Sequence, residues 1–439
     1  GVRFCRILFG KRTKSKGLAP SEELLDRKKG ILLVSLAAAF LAALICVAAV
    51  FFPQYAGGET DYFVEFSLSD DFYVDGKPLS GSERSSLQNE IGKLLEEIEN
   101  EVSVEKSDSD IFRINAAAAG EEVAVGEHTY AMLRLCKTLY SATNGAFSPA
   151  LYNLSELWGF SPDFEGHYND PRSEPSATEI AAALGSSDFA EIELLADNTV
   201  VKSDGETRLD LGGIAKGYMS DAAADLIREK YAGRRIDGIL TVMSNSVLFG
   251  QKYDESAEGG VRGYTVQIDN PRALTTGTGR AAVAVGLSDV AVSTSADTYR
   301  FYVWEDKIYK HILDPCTGKP SDNGVISSTA FVPLGAAEGI QAYAGAFADA
   351  LSTAGFCMPL RDALAFYGDM AQKYGVGAVI ITSDFNYYVV GDCEILDPGE
   401  YSAGDKDVFA RTDISEAPAT VGLCEEERKY IEEVAKLYA

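Results

Sequence analysis

Histidine is scarce in this chain, with three among 439 residues, and the seven cysteines stand singly, without a Cys-x-x-Cys pair or a Cys/His cluster. That scatter argues against a zinc centre or a thioredoxin-like redox motif and leaves each cysteine as a small buried hydrophobe or half of an isolated disulfide. Basic charge is also short, with 39 Lys and Arg against 66 Asp and Glu for a net charge of −27, and an acidic body repels nucleic-acid backbones. No internal repeat is present, which removes the solenoid and propeller architectures. At 46% hydrophobic content the chain is globular rather than disordered.

The few basic residues are unevenly placed. Arg3, Arg6, Lys11, Arg12, Lys14, Lys16, Arg27, Lys28 and Lys29 precede an uncharged run from Gly30 to Phe52, GILLVSLAAAFLAALICVAAVFF, long enough to cross a hydrocarbon core as a helix. The expected organisation is a basic cytoplasmic segment over 1–29, a transmembrane helix over 30–53 and a body outside the cell membrane. A cleaved signal peptide is the alternative, but the run exceeds a usual signal-peptide core and no clear Ala-x-Ala site follows. Cys46 does not read as a lipid-modified cysteine, because Leu44 and Ile45 before it are bulky.

The body is predicted to span 54–395, followed by an acidic C-terminal extension over 396–439 that ends in a helix from Glu425 to Tyr438. Alternating apolar residues over Tyr62–Tyr73 predict a strand, with a turn at Asp75-Gly76. Leu87, Ile91, Leu94, Leu95, Ile98 and Val102 recur at helical spacing. A second helix is expected from Glu127 to Thr143, stopped by Asn144-Gly145, and a shorter one over Ala177–Leu184. Hairpins are expected at Glu191–Lys202 and Ala378–Val390, strands at Gly238–Phe249, Tyr264–Ile268, Ala281–Val285 and Ala291–Ser295, and a helix over Leu360–Tyr374.

Two stretches carry candidate chemistry. Arg208 to Gly217, RLDLGGIAKG, reads as a strand, a glycine turn and a helix start, a junction whose free N–H groups and helix dipole suit a phosphate. An Ala-rich helical pattern from about Glu338 to Phe356 contains Asp349 and Thr353, spaced so that a carboxylate and a hydroxyl share one face. Such hard oxygen ligands suit magnesium. The same spacing is common on solvated helix faces, but the small neighbours Ala344, Ala346, Ala348, Ala350 and Ala354 imply a thin, closely packed helix. A carboxylate buried there requires a partner or a metal.

In order along the chain, Ile114-Asn115-Ala116, Gly145-Ala146-Phe147-Ser148-Pro149, Leu157-Trp158-Gly159-Phe160, Asp210 to Tyr218 (DLGGIAKGY), Val292-Ser293-Thr294-Ser295, His311 to Pro320 (HILDPCTGKP) and Ala348 to Thr353 (ADALST) resemble the motifs of the ApbE family, the FAD:protein FMN transferases. The resemblance implies an α+β fold: a single flavin-transferase domain with mixed sheets and packed helices, preceded by one N-terminal transmembrane helix. It also implies Mg²⁺-dependent transfer of the FMN half of FAD to a Thr or Ser hydroxyl of an acceptor flavoprotein, with AMP released. That acceptor would be a subunit of a membrane electron-transport complex. By analogy Gly213, Asp349, Ser352 and Thr353 hold the metal, while Ala146, Phe147, Ser148, Asp210, Lys216 and Ile312 contact FAD. His311 is the candidate base for the acceptor hydroxyl, its ordinary pKa being nearest to neutral pH. The chain departs from the family pattern at Met243-Ser244 (Gly-Gly in the family), at Ser148 (Asp) and at Glu105 (an aromatic near the flavin). These departures fall on the flavin side, and they keep two other readings open: an FAD pyrophosphatase yielding FMN and AMP, and a non-catalytic membrane-anchored flavin-binding protein.

Overall fold

The computed structural model describes residues 64–273, 281–335, 342–396 and 409–438. The chain divides into two units, Gly1–Asp61 and Tyr62–Ala439. The basic segment and the apolar run at 30–52 lie outside the described residues, among which no helix is long and apolar enough to cross a membrane.

A ten-stranded sheet forms the frame. Its strands are β1 (Phe66–Leu68), β2 (Tyr73–Val74), β3 (Lys77–Pro78), β4 (Ile236–Val242), β5 (Asn245–Phe249), β6 (Val290–Ala296), β9 (Val325–Pro333), β10 (Gly377–Thr382), β11 (Asn386–Val390) and β12 (Ala410–Arg411). The missing numbers belong to a separate hairpin, β7 (Phe301–Trp304) and β8 (Lys307–Lys310). The order across the sheet is β12-β11-β10-β9-β6-β5-β4-β2-β3, with β1 paired to β4. Only β11 and β12 run parallel among these pairs. One face carries helices, and the other is covered by a three-stranded sheet of Tyr264–Asp269, Ala281–Leu287 and Glu394–Leu396, packed on Leu248, Val292, Ile326 and Ile381.

The helices are α1 (Gly81–Val102), α2 (Asp110–Ala116), α3 (Glu127–Ala142), α4 (Tyr152–Trp158), α5 (Ala177–Gly185), α6 (Ala215–Lys230), α7 (Ala344–Cys357), α8 (Leu360–Tyr374) and α9 (Glu425–Tyr438). Helix α1 starts with a Ser80/Glu83 capping box and buries Leu87, Ile91, Leu95, Ile98 and Val102. The Asn144-Gly145 stop after α3 works as expected, because both residues take positive φ, 52° and 83°.

Helix α7 packs on β6 and β9 of the sheet and against α6, and its small residues are what admit it. Glycines face each other where the helices cross: a Cβ on Gly217 would come within 2.1 Å of the Gly345 carbonyl oxygen, and one on Gly345 within 2.3 Å of Ser220 Oγ. The buried Asp221 carboxylate then accepts the N–H groups of Gly345 and Ala346 at 2.7 and 2.8 Å, capping α7 from the neighbouring helix.

Four expectations differ from the observed backbone. The run Gly238–Phe249 is two strands, β4 and β5, paired antiparallel about a turn at Met243-Ser244. The Tyr62–Tyr73 strand divides at a turn over Asp70-Asp71, so that Phe66–Leu68 and Tyr73–Val74 pair separately with β4. Arg208–Leu211 is not a strand: the Asn115 side-chain amide bonds both the carbonyl and the N–H of Leu209, at 2.9 and 2.7 Å, and Asp210 N–H bonds Pro149 O at 2.8 Å. The Ala-rich helix begins at Ala344, with residues 336–341 outside the described set. The β7–β8 hairpin adds an element to the expected list, and its Glu305-Asp306 turn has both φ values positive, 48° and 61°.

Residues 409–438 pack on the same unit. Phe409 stacks on Phe385 with ring centroids 4.9 Å apart, and α9 buries Tyr430, Ile431 and Val434 in a cluster with Phe301 and Val303 of β7. The cysteines at 136, 316, 357, 393 and 424 are free.

Candidate functional site

Strand period and helix period meet at one place. On β6, Ala291, Ser293 and Ser295 share the face turned to α7. On α7, Asp349, Ser352 and Thr353 occupy the facing turn. Ser293 Oγ donates to Asp349 Oδ1 at 3.2 Å, and Ser295 Oγ lies 2.8 Å from Ser352 Oγ and 3.1 Å from Thr353 Oγ1. Ser352 and Thr353 also donate back to the Asp349 carbonyl at 2.8 and 3.2 Å.

Asp349 is 2% exposed, and its two oxygens have different partners. Oδ2 accepts the Gly217 N–H at 3.0 Å, tying the carboxylate to the first turn of α6. Oδ1 faces Lys216 Nζ at 3.3 Å. The same ammonium bonds the carbonyl of Gly212, so it bridges the glycine loop and the acid. Gly213 runs close beneath: a Cβ there would come 3.3 Å from the Phe147 ring and 3.7 Å from Thr353 Oγ1.

These oxygens fit a hard divalent cation. One buried carboxylate and a cluster of hydroxyls converge beside a glycine backbone, with no sulfur or imidazole ligand among them. The only full charge paired with Asp349 among the described residues is the part-exposed Lys216.

The loops around this face are held by the other motif residues. Asp210 Oδ1 accepts Gly212 N–H at 2.8 Å and so shapes the glycine turn. Phe147 is buried and donates its N–H to Thr143 Oγ1 at 3.0 Å; Ala146 N–H bonds Thr143 O, and Ser148 Oγ accepts Ala150 N–H at 3.3 Å. Ile312 is buried in the main core and its carbonyl accepts Ser321 N–H. Within HILDPCTGKP, Asp314 serves the turn, accepting Cys316 N–H at 2.8 Å and the Thr317 hydroxyl at 2.9 Å, while Trp158 donates to Gly318 O at 2.8 Å.

His311 follows β8 immediately. Its Nδ1 lies 3.1 Å from the Arg300 carbonyl, which only accepts, so Nδ1 carries the proton and Nε2 the lone pair. The Phe160 ring meets the imidazole edge to face at 6.4 Å. Burial, then the Arg300 and Lys216 cations, push the imidazole down from 6.5 to about 4. The reason for nominating His311, a pKa near neutrality, therefore does not hold in the folded chain. What remains is an imidazole that is neutral at neutral pH, with its proton on Nδ1.

The structure thus brings Phe147, Gly213, Lys216, Asp349, Ser352 and Thr353 together, and Asp210 acts on the loop that carries two of them. Ser293 and Ser295, quoted in the sequence only as part of a motif, prove to be direct partners of Asp349, Ser352 and Thr353; the alternation V-A-V-S-T-S was the signal. Met243 stands at the β4–β5 turn with φ 52° and is half exposed, and Glu105 is exposed.

An oxygen-rich face beside a glycine loop and a lysine is thus set in an α+β frame. The ApbE family model matches residues 60–380, and the chain belongs to that family. A Treponema pallidum protein named FAD:protein FMN transferase is 30% identical over 307 residues, which cover 67% of this chain and 76% of the relative. A Vibrio cholerae protein of the same name is 31% identical over 252 residues, 56% of this chain and 69% of the relative. Among solved structures, the ApbE protein of Thermotoga maritima superposes with a TM-score of 0.58 at 26% identity, covering 76% of this chain and 98% of that one. The flavin transferase ApbE from Vibrio cholerae shares the fold, with a TM-score of 0.56 at 23% identity over 73% of this chain and 94% of that one.

Proposed function

We propose that the chain is an FAD:protein FMN transferase that moves FMN from FAD onto a Thr or Ser hydroxyl of an acceptor flavoprotein, with Mg²⁺ held at Asp349, Thr353 and the Gly213 carbonyl. The observation that carries the proposal is the convergence of Asp349, Thr353, Ser295, Lys216 and the Gly212-Gly213 loop on one face. The names of the relatives supply the substrate and the acceptor class.

Each side chain has a task in that reaction. Asp349 Oδ2 is committed to Gly217, so Oδ1, now facing Lys216 and Ser293, is the oxygen for the cation. The bound ion would supply charge neutralisation on the transferred phosphoryl group. Lys216, whose ammonium stands between Asp349 and the Gly212 carbonyl, would supply positive charge to the diphosphate. Phe147 and the Asp210-shaped turn hold the loop against which the nucleotide lies. His311 Nε2 accepts the acceptor's hydroxyl proton as its oxygen bonds the FMN-side phosphorus, and the bond to the AMP oxygen breaks. A neutral imidazole is the protonation state that this step requires.

We further propose that the run at 30–52 anchors the domain at the outer side of the cell membrane, close to an acceptor in a membrane electron-transport complex. The support is the charge asymmetry around that run. A reporter fused after Ala439 should be accessible from outside the cell, and a cytoplasmic signal would overturn the topology.

The activity is tested by mixing the full chain with FAD, Mg²⁺ and a flavodomain peptide that carries an acceptor threonine. Covalent flavin on the peptide is expected. Free FMN and AMP would instead make the chain a pyrophosphatase, and neither product would leave it a flavin-binding protein.

A further inference from the structure

We infer that the C-terminal helix α9, which lies beyond the family-matched span, is a positioning element that holds the His311 hairpin in register with the metal-binding face through a buried ion network completed by Glu427. The inference rests on the reading of His311 and Asp349 given above.

Among the described residues four charged side chains form the network, and all are buried: Arg272 and Asp297 at 0% exposure, Glu427 at 1% and Lys310 at 5%. Arg272 grips both acids at once. Its Nε and Nη2 donate to the two Glu427 oxygens at 2.6 and 2.7 Å, and its Nη1 and Nη2 donate to the two Asp297 oxygens at 2.7 and 3.0 Å. Lys310 Nζ lies 3.3 Å from Asp297 Oδ2 and donates to Val325 O on β9 at 2.8 Å. The same ammonium is 5.1 Å from the Phe356 ring of α7, and the Tyr430 ring of α9 lies 4.3 Å from the Arg272 guanidinium.

The position of each member gives the network its role. Lys310 is the residue before His311. Asp297 comes two residues after Ser295, whose hydroxyl meets Ser352 and Thr353. One buried carboxylate therefore joins the strand behind the metal ligands to the hairpin that carries the imidazole. Among the described residues the cluster sets two cations against two anions, and Glu427 is the anion that α9 contributes. Without it, two buried cations would share one carboxylate, and the weaker, single-contact ion pair to Lys310 would be the one to loosen. Tyr430, Ile431 and Val434 lay the rest of the helix on Phe301 and Val303 of β7, so the same hairpin is held from its apolar side.

The test uses the full chain with Glu427→Gln, which keeps the shape and removes the charge. Amide hydrogen exchange over residues 307–313 should rise while α7 keeps its protection. In the transfer assay kcat should fall about tenfold to a hundredfold, since a misplaced reacting group loses rate rather than binding, with the KM for FAD and the Mg²⁺ half-saturation within about twofold of the parent. Glu427→Asp should restore most of kcat. Faster exchange confined to α9, with an unchanged hairpin and kcat, would reduce the helix to a cover and overturn the inference. Val434→Ala guards against a network variant that does not fold, because it loosens the helix without exposing a buried charge; its hairpin exchange should also rise, and no rise would overturn the inference. If the parent chain transferred no FMN, the proposed function would fall, whereas exchange at 307–313 would still decide for or against the brace.

Discussion

Replacing Asp349 by asparagine separates the proposed metal site from the scaffold. The amide oxygen of the new side chain can still accept the Gly217 N–H, now bonded to the carboxylate at 3.0 Å. Its NH₂ group would then point at Ser293 Oγ, whose hydroxyl can turn to accept, and at Lys216 Nζ, where donor would face donor; the two atoms stand 3.2 and 3.3 Å from Oδ1. Lys216 is part exposed, and the lost ion pair amounts to about 1 kcal/mol of stability, a fall of about a degree or two in Tm. The effect on transfer should be far larger. An ion bridging phosphate oxygens stabilises the transition state by several kcal/mol, and losing about 4 kcal/mol is about a thousandfold in rate. The measurement is covalent flavin on the acceptor peptide at saturating FAD across a Mg²⁺ titration, alongside a thermal melt of the same sample. A folded Asp349→Asn variant that transfers within about threefold of the parent rate at the same Mg²⁺ half-saturation would refute the assignment.

Three further outcomes follow from the same geometry. Gly217→Ala places a Cβ 2.1 Å from the Gly345 carbonyl, so the helix crossing must open and stability should fall by about 1–3 kcal/mol in a denaturant titration; an unchanged midpoint would show that the crossing is not close-packed. Ser295→Ala removes the hydroxyl that contacts both Ser352 and Thr353, and the Mg²⁺ half-saturation should rise about tenfold or more with little change in Tm; a half-saturation equal to the parent's would remove Ser295 from the site. His311 titrates near 4 in the folded chain against 6.5 for the free side chain, so the unfolded chain takes up this proton first, and the stability it contributes is complete above about pH 6.5 and lost as pH falls toward 4. The acid limb of kcat/KM for the free enzyme should accordingly lie near pH 4 to 5, and a limb at 6.5 that disappears in His311→Gln would show the ring to be solvated instead.

The parts of this fold that were legible in the sequence are those specified by neighbours in the chain. Asn144-Gly145, Asp197-Asn198 and the turn around Phe385 require left-handed backbone, and positive φ is what Asn144, Asp197, Asn198 and Phe385 adopt. The burial of Asp349 followed from the alanines around it, because small residues between Phe347, Leu351 and Phe356 let neighbouring elements approach the helix closely. What escaped depends on partners remote in sequence. Arg208–Leu211 reads as a strand, yet its hydrogen bonds go to a side-chain amide 94 residues earlier and to the Pro149 carbonyl, and no local pattern announces that Asn115 replaces a neighbouring strand. Glu427 is one acid among many in an acidic tail, and only its pairing with Arg272, 155 residues away, distinguishes it. The β7–β8 hairpin is a different case, since the β-rich run from Phe301 to Lys310 around Glu305-Asp306 carried a readable signal.

The candidate site lies where it does because two adjacent residues of one motif divide its requirements. Gly217 has no side chain, so α6 can approach α7 closely enough for a backbone N–H to reach a buried carboxylate. Lys216 has a long one, so from the same turn a cation reaches the other oxygen of that carboxylate while staying part exposed. Exchanging the two properties would fail on both counts, since any Cβ at 217 meets the Gly345 carbonyl and a shorter residue at 216 would leave Asp349 buried without a counter-charge whenever no metal is bound. Lys216-Gly217 is therefore a structural pair before it is a binding pair: it holds both oxygens of the buried carboxylate from a single helix turn.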